Sequence, residues 1–111
     1  MKDFYDVHVL ASSFPFGGPT LVGAIRATFE RRGVAPPGPE PLVLTRAFLA
    51  APERQTQWRA FLRRGRLGGP MDARELADAL TRFLGPVLAA IGRDEAYSAT
   101  WQPGGPWETA P

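Results

Sequence analysis

Apolar residues recur at helical spacing in several separate stretches of the chain. The clearest stretch predicts a helix over residues 20–32, with Thr20 as its N-cap. Its apolar positions, four residues apart, are Leu21, Ile25 and Phe29. The last turn is basic, which complements the helix dipole, and Gly33 is suited to the position just after the helix.

The pattern of residues 4–11 does not distinguish a helix from a strand. Phe4, Val7 and Ala11 have helical spacing, whereas Tyr5, Val7 and Val9 alternate as in a strand. Both alternatives stay open at this point. Residues 12–19 carry too many glycines and prolines for either element and are expected to form a connector.

Several prolines lie in the middle of the chain. Residues 34–41 hold four of them and predict an extended connector. A short helix should follow, capped by Thr45 and ending at Ala51, with Phe48 and Leu49 facing inward.

The next helix should start at Pro52, which suits a first helical position because it has no N–H to satisfy. Its apolar stripe consists of Trp58, Phe61 and Leu62. Glycines at 65, 68 and 69 are expected to end it.

Residues 72–75, Asp-Ala-Arg-Glu, resemble a capping box and introduce the longest apolar stripe, from Leu76 to Ile91. Pro86 interrupts this stripe, so we expect a kink or a break there. The tail after Arg93 contains Trp101 and Trp107 among glycines and prolines and should be irregular. Together, these segments predict one all-α domain over residues 1–111, a small bundle of four to five helices with Pro/Gly-rich connectors.

The amino-acid composition excludes several classes of function for this chain. The chain has 111 residues, enough for one small domain, and its net charge is only +2. It contains no Cys and a single His, which excludes disulfide scaffolds, thiolate metal sites and any site that needs two imidazoles. No apolar run approaches the roughly 20 residues of a membrane helix, and the start lacks the pattern of a signal peptide. These features predict a soluble cytoplasmic domain without membrane contact.

The positive charge is concentrated in one window. Five arginines and no acid lie between residues 54 and 66, and the five are Arg54, Arg59, Arg63, Arg64 and Arg66. We call this set the arginine strip. Arginine is suited to phosphate recognition, so the strip is a candidate RNA-binding surface. The alternative is a solvated helix face opposite the Trp58 stripe. The two tail tryptophans similarly fit base stacking or, more simply, packing of the tail onto the helices.

Several segments in order resemble one protein family. Residues 2–6, Lys-Asp-Phe-Tyr-Asp, resemble a motif of the AbiEii/AbiGii toxin family of nucleotidyltransferases. Residues 14–33, residues 57–62 around Trp58 and residues 83–87 are similar to later segments of that family, and Trp101 with Trp107 is similar to its tail. Enzymes of the family hold Mg²⁺ with an Asp-x-Asp pair that follows a Gly-Ser step, and neither motif occurs here. The resemblance is therefore to the C-terminal helical portion.

The resemblance carries functional expectations. The intact family enzymes use Mg²⁺ and a nucleoside triphosphate to place nucleotides on an RNA or tRNA acceptor, and a cognate antitoxin accompanies the toxin. The resemblance implies that Asp3 and Lys2 belong to the late catalytic motif and that Lys2, Asp3 and Asp6 border the nucleotide. Without the metal-binding carboxylates, the chain is expected to be inactive alone, with no metal site or cofactor of its own.

The alternative is a stand-alone helical binding module. Such a module would dock a protein partner, a second copy of itself through an exposed apolar surface, or RNA through the arginine strip. His8 is expected to be an ordinary hydrogen-bonded side chain rather than a catalytic base.

Overall fold

Helices dominate the computed structural model, which describes residues 2–35, 38, 40–70 and 72–109. In that part of the chain there are five helices and three two-residue strands. The helices are α1 (Lys2–Ser13), α2 (Gly18–Arg31), α3 (Glu40–Ala50), α4 (Pro52–Gly65) and α5 (Ala73–Gly92). The strands are β1 (Phe16–Gly17), β2 (Thr100–Trp101) and β3 (Trp107–Glu108). The all-α class is confirmed.

The core is built around α5. This helix has an apolar residue buried on almost every turn, and α1, α2, α3 and α4 each pack against it. Leu76 and Leu80 join Leu49 and Trp58 in one cluster, while Val87 joins a second cluster with α2 and α3. Burial of each large side chain contributes roughly 1.5–3 kcal/mol to the free energy of folding. Packing against α5 therefore stabilises each of the other four helices.

The first helix resolves the ambiguity of the opening residues. Helical periodicity prevails because Phe4, Tyr5 and Val7 all pack against the cluster around Trp58, which a strand with alternating faces would not allow. The predicted connector over residues 12–19 exists but is shorter, and it covers residues 14–17. The first helix extends to Ser13, and α2 already begins at Gly18.

The start of α2 is held from outside the helix. Gly17 rather than Thr20 is the N-cap, and Pro19 lies in the first turn. The backbone N–H of Gly18 donates to the carbonyl of Ala99 at 2.8 Å, so the tail of the chain supplies the acceptor. A proline is tolerated here because its missing N–H would have no helical partner.

The end of α2 confirms the sequence prediction. Gly33 has a φ of +69°, the left-handed conformation that glycine adopts without strain. Its N–H donates to Glu30 at 3.0 Å and that of Val34 donates to Phe29 at 3.2 Å. This pair of bonds is a Schellman motif.

The third helix departs from its predicted limits. It begins at Glu40, so Pro41 is in its first turn and Thr45 is interior, where its hydroxyl donates to the carbonyl of Pro41 at 2.8 Å. The cap assignment for Thr45 is wrong because a proline and an acid both suit a helix start. Leu49 is buried as predicted, but Phe48 is 43% exposed, so its inward orientation is wrong. Residues 36, 37 and 39 of the predicted connector lie outside the described residues.

The starts of α4 and α5 agree with the sequence prediction. Pro52 lies in the first turn of α4. Asp72 is the N-cap of α5 and accepts the backbone N–H of Arg74 at 2.8 Å. The Arg74 guanidinium also donates to this carboxylate, at 2.9 Å. The turn after α4 uses Arg66 in a left-handed conformation, with a φ of +53°.

Pro86 does not break α5. This helix runs from Ala73 to Gly92 with Pro86 inside it.

The tail after Arg93 was expected to be irregular, but it supplies two strands that the sequence did not predict. They form an antiparallel sheet in the order β1-β2-β3, with Phe16 opposite Trp101 and Trp101 opposite Trp107. This sheet fastens the end of the chain to the turn between α1 and α2.

Candidate functional site

The charged residues of the opening motif lie on the outside of α1. The ammonium of Lys2 donates to Oδ2 of Asp6 at 2.7 Å, one helical turn away, and both groups are largely exposed. The hydrogen bond and the negative charge of Asp6 raise the pKa of Lys2, so its ammonium is firmly charged at neutral pH. Asp3 is exposed beside them. The structure thus presents the three predicted residues to solvent at one end of the helix.

Aromatic residues between these charges anchor the helix. The ring of Tyr5 lies 5.7 Å from Phe61 and 6.3 Å from Trp58, and Phe4 lies 6.5 Å from Phe48. Aromatic pairs at these separations add to the free energy of burial. The two adjacent aromatic residues within the charged motif therefore fix which side of α1 is buried and which side carries Lys2.

The described residues do not fit a Mg²⁺ site. Magnesium requires near-octahedral coordination by oxygen, usually including carboxylates. The carboxylate of Asp6 is engaged by Lys2, and no group of three or more His, Cys, Asp or Glu that could hold a metal occurs in the part of the chain described. No catalytic step through a metal is derived from these residues.

The arginine strip lies on α4 and the turn that follows it. Arg54 has its guanidinium 4.3 Å from the centroid of the Phe48 ring and donates to Gln57 at 2.8 Å. The side chain of Arg64 donates to the carbonyl of Ala60 at 3.4 Å. Arg63 and Arg66 are exposed.

These arginines do not share one helix face. Arg59 and Arg63 are four residues apart and lie on the same side, whereas Arg64 is rotated by about 100° from Arg63. None of the five forms an ion pair with any residue that the structure describes. The strip is therefore a positive belt without salt bridges around the exposed part of α4, and the carboxylate of Asp72, which binds Arg74, also attracts Arg59.

The tryptophans act as packing residues. Trp58 is fully buried, and its indole N–H donates to the carbonyl of Pro70 at 2.7 Å. Trp101 is 3% exposed and donates to the carbonyl of Ala11 at 2.7 Å, while Trp107 donates to Phe83 at 2.8 Å. The expectation that the tail packs onto the helices is confirmed. The alternative of base stacking is wrong for Trp101 because its ring is buried.

Sequence reasoning missed two features. The exposed side of α3 carries large apolar residues, with Val43 68% and Leu44 70% exposed. The signal was present in the sequence, since Leu42, Val43 and Leu44 are consecutive, and three consecutive positions of a helix do not share one face. His8 and Arg82 line a groove between α1 and α5, which required the tertiary structure because the two residues are far apart in sequence.

None of the helices in the described residues is long and apolar enough to cross a membrane.

No curated protein and no solved structure matches the chain. A sequence model of one family, the nucleotidyl transferase AbiEii toxin of type IV toxin–antitoxin systems, matches residues 1–82. The matched region includes α1 and α4 and ends within α5, so the similarities at residues 83–87 and in the tail lie outside it. Because the match covers most of the chain, this protein belongs to the AbiEii family of nucleotidyl transferase toxins.

Proposed function

We propose that this helical domain borders the nucleotide pocket of a nucleotidyl transferase toxin and does not transfer nucleotide by itself. The observation that carries the proposal is the exposed set Lys2, Asp3 and Asp6, presented at one end of a helix that aromatic contacts hold in place. The family match supports the reaction class. The absence of an Asp-x-Asp pair from the 111 residues supports the proposal that the domain by itself is inactive.

Each of the three residues has a distinct role in this proposal. The ammonium of Lys2 is charged and exposed, and it contacts a phosphate of the nucleoside triphosphate as a point charge. Asp6 holds this ammonium in place through the 2.7 Å contact. Asp3 forms no ion pair with a described residue, so its carboxylate is available to accept a hydrogen bond from the sugar or base.

The first test measures nucleotide binding and transfer separately. Isothermal titration of the chain with ATP and Mg²⁺ should give weak binding that is lost in Lys2→Ala and Asp3→Ala. Arg31→Ala, which removes an exposed charge from the end of α2, is the matched control and should bind as the parent does. Incubation with bulk tRNA and labelled nucleotide should give no incorporation. Incorporation that disappears in Asp3→Ala would show that the chain carries its own active site.

The RNA acceptor is proposed to contact the arginine strip. Arg59, Arg63 and Arg64 form no salt bridge with a described residue, which suits phosphate contacts, and affinity should fall with salt. The triple change to Glu should abolish binding of tRNA at low salt. The control triple change of Arg31, Arg32 and Arg93 to Glu reverses the same number of charges elsewhere. Equal affinity in the two triple variants would rule out the strip as the RNA surface.

One observation favours a second function, the docking of a protein. Val43 and Leu44 of α3 are more than two-thirds exposed, and Phe48 beside them is 43% exposed. Exposed apolar patches on a small domain drive association. The candidate partners are the antitoxin and a second copy of the chain.

Light scattering distinguishes these two partners. Self-association should disappear in Leu44→Ser, whereas Val34→Ser, an exposed apolar residue outside α3, should leave it unchanged. A monomer at all concentrations excludes the second copy. Unchanged binding of the antitoxin by Leu44→Ser would exclude this face as its docking site.

A further inference from the structure

A groove runs between α1 and α5 on a side of the molecule that the proposed function does not use. One cavity of about 160 Å³ is lined by His8, Ser12, Arg82 and Trp101 among others. A second cavity of about 270 Å³ adjoins it. The two share His8, Ala79 and Arg82, so these residues lie at the middle of one continuous groove.

The charges along the groove favour an anion at the Trp101 end. Arg82 is exposed and forms no ion pair with the residues that the structure describes. The acids of the groove, Glu75 and Asp78, line only the other cavity. The charge of Asp78 is compensated by Arg46 at 2.6 Å. Arg82 is thus the one charged side chain on the wall of the smaller cavity.

Neutral donors stand beside this guanidinium. His8 and Ser12 are four residues apart on α1, so both side chains lie on the same face of the helix. Burial lowers the pKa of His8, so its imidazole is neutral at pH 7 and offers one N–H. The carbonyl of Ala11, which would repel an anion, is already occupied by N–H groups of Trp101 and Gly104 at 2.7 and 2.9 Å.

We propose that this groove binds a phosphate group, with Arg82 as the charged partner and Ser12 and His8 as neutral hydrogen-bond donors. Guanidinium groups bind phosphate through two parallel hydrogen bonds, which suits the planar fork of Arg82. The site is separate from Lys2 and Asp6, because His8 follows Asp6 by two residues and so points to another side of α1. It stands independently of the proposed nucleotide pocket.

The single histidine makes the test direct. His8 is the only source of imidazole signals in the NMR spectrum of the whole chain. Inorganic phosphate and AMP should each shift these signals in a saturable way, and adenosine should not. A bound phosphate should also raise the pKa of His8, because an adjacent negative charge favours the imidazolium.

Variants locate the binding group. Arg82→Gln should weaken binding at least about tenfold, since it removes a charge-assisted hydrogen bond. Arg82→Lys should retain part of the affinity. Arg93→Gln removes an exposed arginine at the end of α5 and should bind as the parent does. Circular dichroism confirms that each variant is folded.

The outcomes decide the proposal. Equal affinity for phosphate and AMP would identify free phosphate as the ligand, and tighter binding of AMP would identify the phosphate of a nucleotide. Equal shifts with AMP and adenosine would overturn the proposal, as would the absence of saturable shifts with phosphate. Unchanged binding in Arg82→Gln would overturn it too. None of these readouts involves Lys2 or Asp3, so failure here leaves the proposed function standing.

Discussion

At the scale of single residues, the chemistry of this domain depends on where each charge is placed. Lys2 and Asp6 compensate each other at the surface, whereas Arg82 has no acidic partner in the described residues. His8 is half-buried without a charged partner of its own. The sequence grouped Lys2, Asp3 and Asp6 only through the family resemblance, and the contact between Lys2 and Asp6 follows once α1 is a helix, because four residues make about one turn. It did not predict the setting of His8, because Arg82 and Trp101 approach it only in the folded chain.

His8 should make stability depend on pH. Burial lowers its folded pKa below the ordinary value of 6.5, so the unfolded chain takes up the proton first as pH falls. The stabilisation is complete above 6.5 and declines below it. The free energy of unfolding should fall as the pH drops below about 7, by at most about 1.4 kcal/mol per pH unit.

Urea denaturation of the parent and of His8→Gln measures this effect. The variant has no titrating group at the position, so its stability should be nearly flat over the same range. Identical slopes for the two proteins would contradict the assignment to His8.

At the scale of elements, three helix limits have a local cause. Pro52 begins α4, Asp72 caps α5 and the Schellman motif at Gly33 ends α2. All three were predictable because they involve neighbours in sequence. The limits of α3 were not, because a proline-rich segment is compatible both with an extended connector and with a helix start.

Two glycines of α2 should respond oppositely to the same substitution. A Cβ at Gly18 would collide with the backbone oxygen of Tyr97 and approach that of Ala99 at 2.9 Å. Gly18→Ala should therefore lower the free energy of unfolding by about 2–3 kcal/mol. Gly23 has open space around it, and Gly23→Ala should raise stability by about 0.5–1 kcal/mol. Thermal unfolding of both variants checks the pair, and a tolerated Gly18→Ala would mean that the tail does not pack there.

Pro86 should destabilise α5. It lies inside the helix, where proline removes a hydrogen bond and is about 3 kcal/mol less favourable than alanine. Part of this cost is offset because proline restricts the unfolded chain, so Pro86→Ala should stabilise by about 2 kcal/mol. Pro52→Ala is the control in a first turn and should be neutral or lose up to about 1 kcal/mol. A destabilised Pro86→Ala would show that the ring makes packing contacts worth more than the missing bond.

At the scale of the whole molecule, the tail connects elements that are far apart in the sequence. Trp101 is buried against Phe83 at 4.9 Å and Trp107 at 5.5 Å, and its indole N–H reaches Ala11. The sheet pairs the same segment with Phe16. These contacts connect the segment after α5 to the turn between α1 and α2, and they also form one wall of the groove at His8.

Loss of Trp101 should therefore weaken the whole domain. Trp101→Ala should lower the free energy of unfolding by about 3–5 kcal/mol because it leaves a large cavity. Trp101→Phe keeps most of the ring and should cost only about 1 kcal/mol, since the carbonyl of Ala11 retains the N–H of Gly104. Urea denaturation measures both, and hydrogen exchange at Gly18 should accelerate in the alanine variant. A cost below about 1 kcal/mol for Trp101→Ala would mean that the tail is dispensable for folding.

The sequence by itself determined the helical class, the start of α4, the C-terminal end of α2, the N-cap of α5 and the burial of Trp58. These features follow from periodicity and from side chains that act on their own helix, which are properties of neighbouring residues. Only the tertiary structure decided that α1 is a helix, that α3 leaves Leu44 exposed and that the tail forms a sheet with Phe16. It also created the groove at His8 and Arg82. In each of these cases the deciding contact joins residues from different elements, and no local pattern contains that information.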